Sequence, residues 1–116
     1  MRITRFEFGS IRVDGKTYER DVLIDRGKVK RRKKGPSKRF RDKLGHTPLS
    51  IEEKIPWKCS RLVVGTGADS ALPVMREVYD EAKRRGVELV AVPTSEAIRL
   101  LARTDDDTNA ILHITC

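Results

Sequence analysis

The stretch Leu62-Val63-Val64-Gly65-Thr66-Gly67 constrains the fold of this chain more than any other. An apolar run with no polar alternation implies a strand buried on both faces, as in the inner part of a sheet covered on each side. Residues 61 to 64 are therefore expected to form that strand. After Gly67, Asp69 or Ser70 can cap a helix whose apolar stripe is Ala71, Leu72, Met75, Val78, Tyr79 and Ala82. Asp80 with Arg84, and Glu81 with Arg85, stand at i,i+4, and Gly86 supplies a left-handed stop. Residues 87 to 92 read as a second buried strand, so 61 to 92 make a βαβ unit with parallel strands.

The flanks extend this unit within one domain of 116 residues (1–116), too short for separate cofactor and substrate domains. Ile3, Phe6 and Phe8 begin an extended pattern that turns at Gly9-Ser10 and returns through Ile11 and Val13. Asp14-Gly15 is a favoured type I′ pair, and Tyr18, Val22 and Ile24 then alternate along a third strand. Residues 3 to 25 thus read as an antiparallel meander. Thr47 to Glu53 reads as a short helical turn with Ser50 and Glu53 at capping-box spacing, stopped by Pro56, with Trp57 as an apolar plug. Beyond Pro93, Thr94 or Ser95 caps a second helix with Ala97, Ile98 and Leu101 inward. Thr104 to Asp107 makes the exit turn, and residues 110 to 115 form a last strand.

The basic excess is confined to one segment. Residues 26 to 43 hold 11 of the 25 Lys and Arg but one acid of 17, so the remainder has a balance of −2 although the chain carries +8. With its Gly35-Pro36-Ser37 break and few apolar anchors, the segment 26–48 reads as an exposed, partly mobile excursion from the domain, with room for short strand or helix pieces. One function class follows directly: RNA or DNA binding through residues 28 to 43, with Lys28, Lys30, Arg31, Arg32, Lys33, Lys34, Lys38 and Arg39 on phosphates. Against it, basic runs are commonly solvated loops, and Phe40 is the one ring there for base stacking. No apolar run reaches the roughly 20 residues of a membrane span, and the first residues begin a strand pattern, so a soluble, cytoplasmic chain is expected.

Gly65-Thr66-Gly67 does not complete a nucleotide motif. Position 70 is Ser70 where a dinucleotide fingerprint needs glycine or alanine, Val92-Pro93-Thr94 ends the next strand without an acid, and no Gly-Lys-Ser/Thr follows. No cofactor is therefore expected. Gly65, Thr66, Gly67 and Thr94 do lie just beyond parallel strand ends and just before helix N-termini, where N–H groups and hydroxyls can converge on a small anion. Their plainer role comes first: a tight turn, close helix-to-sheet packing and a cap. His46, between Gly45 and Thr47 in a loop, is the better acid-base candidate, whereas His113 alternates with Leu112 and Ile114 and reads as structural. Cys59 and Cys116 are far apart and form no CxxC. The histidines lack metal spacing, and Asp105 to Asp107 read as a solvated turn, so neither a disulfide framework nor a metal site is expected.

Several short motifs then add up. Phe8-Gly9-Ser10-Ile11, Val13-Asp14-Gly15, Asp21-Val22-Leu23-Ile24, Gly45-His46, Val64-Gly65-Thr66-Gly67 and Pro93-Thr94 with Glu96-Ala97 follow one another in the order and spacing of a known family. The chain resembles the Mth-nine-three-eight-like family, which includes the vertebrate adipogenesis-associated domain protein and a mitochondrial complex I assembly factor. The closing Ala110 to Cys116 resembles its archaeal-type members. The resemblance implies an α/β, three-layer fold with a central mixed sheet, packed helices and the early strands as an added β layer. It implies no reaction, and the basic run before Gly45-His46 replaces a tryptophan-containing segment of many relatives. The reading that combines these points is a non-enzymatic binding or assembly module, monomeric or weakly self-associating. Its crevice near Gly65, Thr66, Gly67, Thr94 and His46 would take a small anion or a protein partner's acidic group. The alternatives are nucleic-acid binding through 28–43, and an enzyme acting on a small anionic substrate.

Overall fold

The computed structural model describes residues 2–41, 47–103 and 107–116. A three-stranded antiparallel sheet comes first, with β1 (Ile3–Glu7), β2 (Ser10–Val13) and β3 (Lys16–Tyr18) in that order. The second sheet contains β4 (Val22–Asp25), β5 (Lys28–Arg31), β6 (Arg61–Gly65), β7 (Glu88–Val92) and β8 (Thr108–Leu112), in the order β5-β4-β8-β6-β7. It is mixed: β6 runs parallel to both β7 and β8, while β4 is antiparallel to β5 and β8. Helices α1 (Arg76–Arg85) and α2 (Thr94–Leu101) follow β6 and β7.

The pleat of the five-stranded sheet divides the core in two. Val22 and Ile24 of β4, Val63 of β6, and Ala110 and Leu112 of β8 face one layer, where Ile11 and Val13 of the small sheet and Ala97 and Leu101 of α2 pack. Leu62, Val64 and Ile111 face the other, against Leu49, Ile55 and Leu72 and against Val78 and Ala82 of α1. The expected three-layer α/β architecture with its βαβ unit and added β layer is thus present.

Several local expectations need correction. Tyr18 and Val22 belong to different strands in different sheets, because the chain crosses between sheets at residues 19–21. The alternation had run through that crossing because Ile11, Val13, Val22 and Ile24 all face the same core. The first hairpin turns at Phe8-Gly9, one residue early, since Glu7 pairs with Ser10. Asp14 (φ 50°) and Gly15 (φ 81°) form the expected turn with both central residues left-handed.

The described part of the basic segment contains short strand and helix pieces. Residues 28–31 are β5, an edge strand registered on β4 from Asp25↔Lys28 to Val22↔Arg31, and Gly35–Phe40 is a 3-10 helix. A lysine-bearing edge discourages further strand pairing.

Helix α1 begins at Arg76, well after Gly67. Pro73 lacks an N–H and pushes the residue before it out of the helical region, so residues 66–75 form an irregular link and neither Asp69 nor Ser70 is a cap. Tyr79 consequently faces solvent at 44% exposure. Gly86 closes α1 as expected, and Glu81 accepts from both Arg84 and Arg85. Strand β7 is a half-buried edge, whereas β8 is central and ends at Leu112. The residue preceding α2 is Pro93, which leaves the Thr94 hydroxyl for other partners. The exit turn expected at 104–107 lies mostly outside the described residues.

Among the described residues, Gly67 is the most constrained glycine. Its φ is +106°, and a Cβ there would stand 2.4 Å from the Cys116 carbonyl carbon and 2.6 Å from its oxygen. Gly67→Ala is expected to destabilise by more than about 2 kcal/mol in urea unfolding, since strain and overlap add. Gly27→Ala, at φ +79° with nothing near the added carbon, should cost only about 1–2 kcal/mol.

Candidate functional site

The register of β4 and β5 places Asp21 beside Arg32, just beyond the Val22↔Arg31 pair, and the Arg32 N–H donates to the Asp21 carbonyl at 2.9 Å. The Arg32 side chain then turns inward and is only 4% exposed. Its Nε and Nη2 donate to Glu53 Oε1 and Oε2, both at 2.8 Å, in a planar two-point pair. Nη1 donates to Asp21 Oδ2 at 2.8 Å, and Nη2 also reaches the Pro48 carbonyl at 3.1 Å. Ser37 Oγ of the 3-10 helix donates to Glu53 Oε2 at 2.6 Å and meets Ser50 Oγ at 2.6 Å. Glu53 therefore serves this cluster, not a capping box: there is no helix at residues 50–53, and the same Ser-x-x-Glu spacing lets both side chains face Ser37 and Arg32.

The end of β8 joins the cluster from the other side. Ile114 N–H donates to Asp21 Oδ1 at 3.0 Å, and His113 Nδ1 lies 2.8 Å from Asp21 Oδ2. His113 Nε2 in turn lies 3.2 Å from Thr115 Oγ1. Burial pushes the Asp21 carboxyl up, but the His113 hydrogen bond and charge, the Ile114 N–H and the Arg32 guanidinium outweigh it and leave Asp21 below the usual carboxylate range. For Arg32, burial acts to lower the pKa, and Glu53 and Asp21 more than reverse it.

Over this floor opens a cleft of about 600 Å³, lined at its base by Asp21, His113, Ile114 and Thr115. Its rim carries Arg20, Arg31, Lys33, Lys34 and Lys38, with Glu19 as the one rim acid among the described lining residues. Among the described residues, none of these five cations makes an ion pair. The polar floor and unpaired cationic rim can hold an anionic group without an accompanying counter-ion.

Gly65, Thr66, Gly67 and Thr94 do converge, as their positions in the βαβ unit require, but the protein's own chain meets them. Gly67 N–H donates to Thr94 Oγ1 at 2.8 Å, and Thr94 Oγ1 donates to the His113 carbonyl at 2.6 Å. Thr66 N–H and Oγ1 both reach the Val92 carbonyl, at 2.8 and 3.0 Å. Ala68 N–H donates to the Thr115 carbonyl at 2.7 Å, and the N–H groups of Asp69 and Ala71 donate to Cys116 O at 3.2 and 2.8 Å. Residues 113–116 thus lie along the glycine turn, and His113, Ile114 and Thr115 of that segment also line the basic cleft. His46 falls outside the described residues.

The cations of the basic segment divide. Arg32 is buried, Lys30 pairs with Asp25, and Arg39 pairs with Glu52 while lying 4.8 Å over the Phe40 ring. Arg31, Lys33, Lys34 and Lys38 surround the cleft, and Lys28 is exposed in β5 outside it. Sequence reasoning missed Asp21, Arg20 and Thr115. Strand periodicity puts Thr115 on the same side as His113, but Asp21 meets them through a β4–β8 pairing that no local pattern announces. Among the described residues no group of three His, Cys, Asp or Glu could hold a metal, and both cysteines are free.

A family model described as "Protein of unknown function (DUF498/DUF598)" matches residues 3–113. The chain belongs to that family. The conserved hypothetical protein PH1505 from Pyrococcus horikoshii OT3 is similar over the whole of both chains, with 29% identity and a TM-score of 0.83. The structure titled MT938 matches at 23% identity and a TM-score of 0.71, over 98% of this chain and 97% of its own. An outer membrane protein from Bartonella henselae shares the fold at 14% identity and a TM-score of 0.65, over 98% of this chain and 94% of its own. PH1505 and MT938 agree with the archaeal-type resemblance read from the sequence. No curated protein matches. Among the described residues no helix is long and apolar enough to cross a membrane.

The lowered Asp21 pKa has a defined stability signature. The unfolded chain takes up the Asp21 proton at higher pH than the folded chain does. The stabilisation is therefore complete above the ordinary carboxylate pKa of about 4 and is lost as pH falls through the folded value. Urea midpoints measured between pH 7 and pH 2 should fall below about pH 4, and Asp21→Asn should flatten that acid limb while lowering stability at neutral pH.

Proposed function

We propose that this protein is a binding module for a small anionic group, a phosphate or carboxylate carried by a metabolite or by an acidic side chain of a partner. The observation that carries the reading is the cluster of Arg20, Arg31, Lys33, Lys34 and Lys38 around one cleft. At about 600 Å³ the cleft is the size of a small-molecule site, not a flat polyanion-binding face. What supports this cleft over Gly65 to Gly67 is that the Thr66 N–H and hydroxyl already donate to the Val92 carbonyl and the Gly67 N–H to Thr94 Oγ1.

The nucleic-acid reading has less to support it. Arg32 and Arg39 of the basic run are engaged by Glu53 and Glu52, and Phe40 is covered by Arg39 instead of presenting an open stacking face.

Inorganic phosphate and succinate titrated into the protein should shift the amide resonances of residues 20, 31, 34 and 113–115. Arg31→Gln and Lys34→Gln should each lower affinity roughly tenfold, the worth of one charged hydrogen bond. Lys28→Gln, outside the cleft, should leave affinity unchanged. Shifts confined to residues 65–67 and 94, or none at all, would exclude the proposed site.

A further inference from the structure

We propose that Thr115, His113 and Asp21 act as nucleophile, base and positioning carboxylate, and that the basic cleft hydrolyses esters of small acids bearing a second, anionic group. The inference rests on the anion-binding reading of the same cleft. Its basis is a continuous chain of contacts: Asp21 Oδ2 to His113 Nδ1 at 2.8 Å, then His113 Nε2 to Thr115 Oγ1 at 3.2 Å. An ionised carboxylate only accepts hydrogen bonds, so a neutral His113 carries its ring proton on Nδ1 and has Nε2 to accept from the Thr115 hydroxyl. That is the tautomer a base needs if it is to take the proton of a nucleophile. The contact at 3.2 Å is of the length expected before substrate tightens it.

The surroundings hold these groups in place. Asp21 cannot swing away, because Arg32 Nη1 also donates to its Oδ2 and the Ile114 N–H to its Oδ1. The His113 backbone is fixed on both sides, with its N–H donating to the Gly65 carbonyl at 2.9 Å and its carbonyl accepting from Thr94 Oγ1. Gly67 packs against the imidazole so closely that a Cβ there would lie 2.8 Å from His113 Cδ2. A rigid supporting shell of this kind is what a reacting constellation requires and a solvated surface histidine lacks. All three groups line the cleft whose rim carries the unpaired cations. Such constellations are recognised by geometry and not by chain order, so the order Asp21, His113, Thr115 is no objection.

In the reaction, Thr115 Oγ attacks the ester carbonyl carbon and its proton passes to His113 Nε2. The bond between that carbon and the alcohol oxygen breaks, and the departing oxygen takes the proton from Nε2. Water then attacks the acyl-threonine carbon, gives a proton to Nε2, and Thr115 Oγ leaves with that proton restored. The products are an alcohol and a carboxylic acid, and water is the one co-reactant. The rim cations hold the second anionic group of the acid and favour the oxyanion that develops at the carbonyl.

The test uses 4-nitrophenyl hemisuccinate, with 4-nitrophenyl acetate for comparison, and follows nitrophenolate release together with peptide mapping of the intact protein. Expected are saturable turnover of the hemisuccinate, a succinyl group on Thr115, and a marked preference over the acetate. Thr115→Val should abolish turnover and Thr115→Ser should retain it. His113→Gln should lower kcat on the order of 100- to 10,000-fold with KM little changed. An acyl group found elsewhere, or turnover unaffected by Thr115→Val, would overturn the inference. Absence of turnover in protein whose cleft still binds succinate overturns the hydrolytic step alone, whereas absence of succinate binding overturns the underlying anion reading and this inference with it.

Discussion

One buried guanidinium joins the separate parts of this fold. Arg32 bonds Glu53 at two points, Asp21 at one and the Pro48 carbonyl at another. Through them it ties the β4–β5 hairpin to the segment 48–53, to the crossing between sheets and, by way of Asp21, to the end of β8. Removing one cation and two carboxylates from water costs several kcal/mol per ion, and only near-complete hydrogen bonding offsets that. The described residues meet the condition, since none of their buried side-chain nitrogen or oxygen atoms lacks a partner. What the cluster contributes most clearly is specificity of arrangement: it holds the basic hairpin against the sheet, so neighbouring cations surround a cleft.

The glycine turn and the cleft are two sides of one construction. Residues 113–116 lie between them, held from below by Thr94 Oγ1 and by the N–H groups of Ala68, Asp69 and Ala71. Close approach at Gly65 and Gly67 is what lets that segment lie flat, because a Cβ at either position would be within about 3 Å of Thr94 or of residues 113 and 116. The resemblance of Gly65-Thr66-Gly67 to a phosphate loop thus has a structural explanation. Its converging donors meet the Val92, Thr115 and Cys116 carbonyls and the Thr94 hydroxyl, and the His113 ring packed against Gly67 also lines the cleft, as does Thr115.

Local order was readable where one segment determines itself. The run from Leu62 to Val64, the stop at Gly86, the inward set of Ala97, Ile98 and Leu101, and the Asp14-Gly15 turn all follow from periodicity or backbone preference within a few residues. The misplaced start of α1 was legible in principle, since Pro73 interrupts the apolar stripe. Other features depend on pairings between distant segments. Nothing in Arg31-Arg32-Lys33-Lys34 distinguishes the one arginine that turns inward, because its burial depends on Glu53 and Asp21 reaching it from elsewhere. Asp21 precedes His113 and Thr115 by some 90 residues and meets them because β8 inserts between β4 and β6. The candidate site therefore became visible only with the strand order.

A double-mutant cycle on Arg32 and Glu53, read by urea unfolding at neutral pH, tests the role of this buried pair most directly. Arg32→Met leaves the buried Glu53 carboxylate without its cation, and Glu53→Leu leaves Arg32 with Asp21 as its one carboxylate partner; each should cost about 3–5 kcal/mol, while the double variant should cost at least about 2 kcal/mol less than their sum. Single effects below about 0.5 kcal/mol that simply add would contradict the account, because the hairpin and its cleft would then be held by something other than the Arg32 cluster.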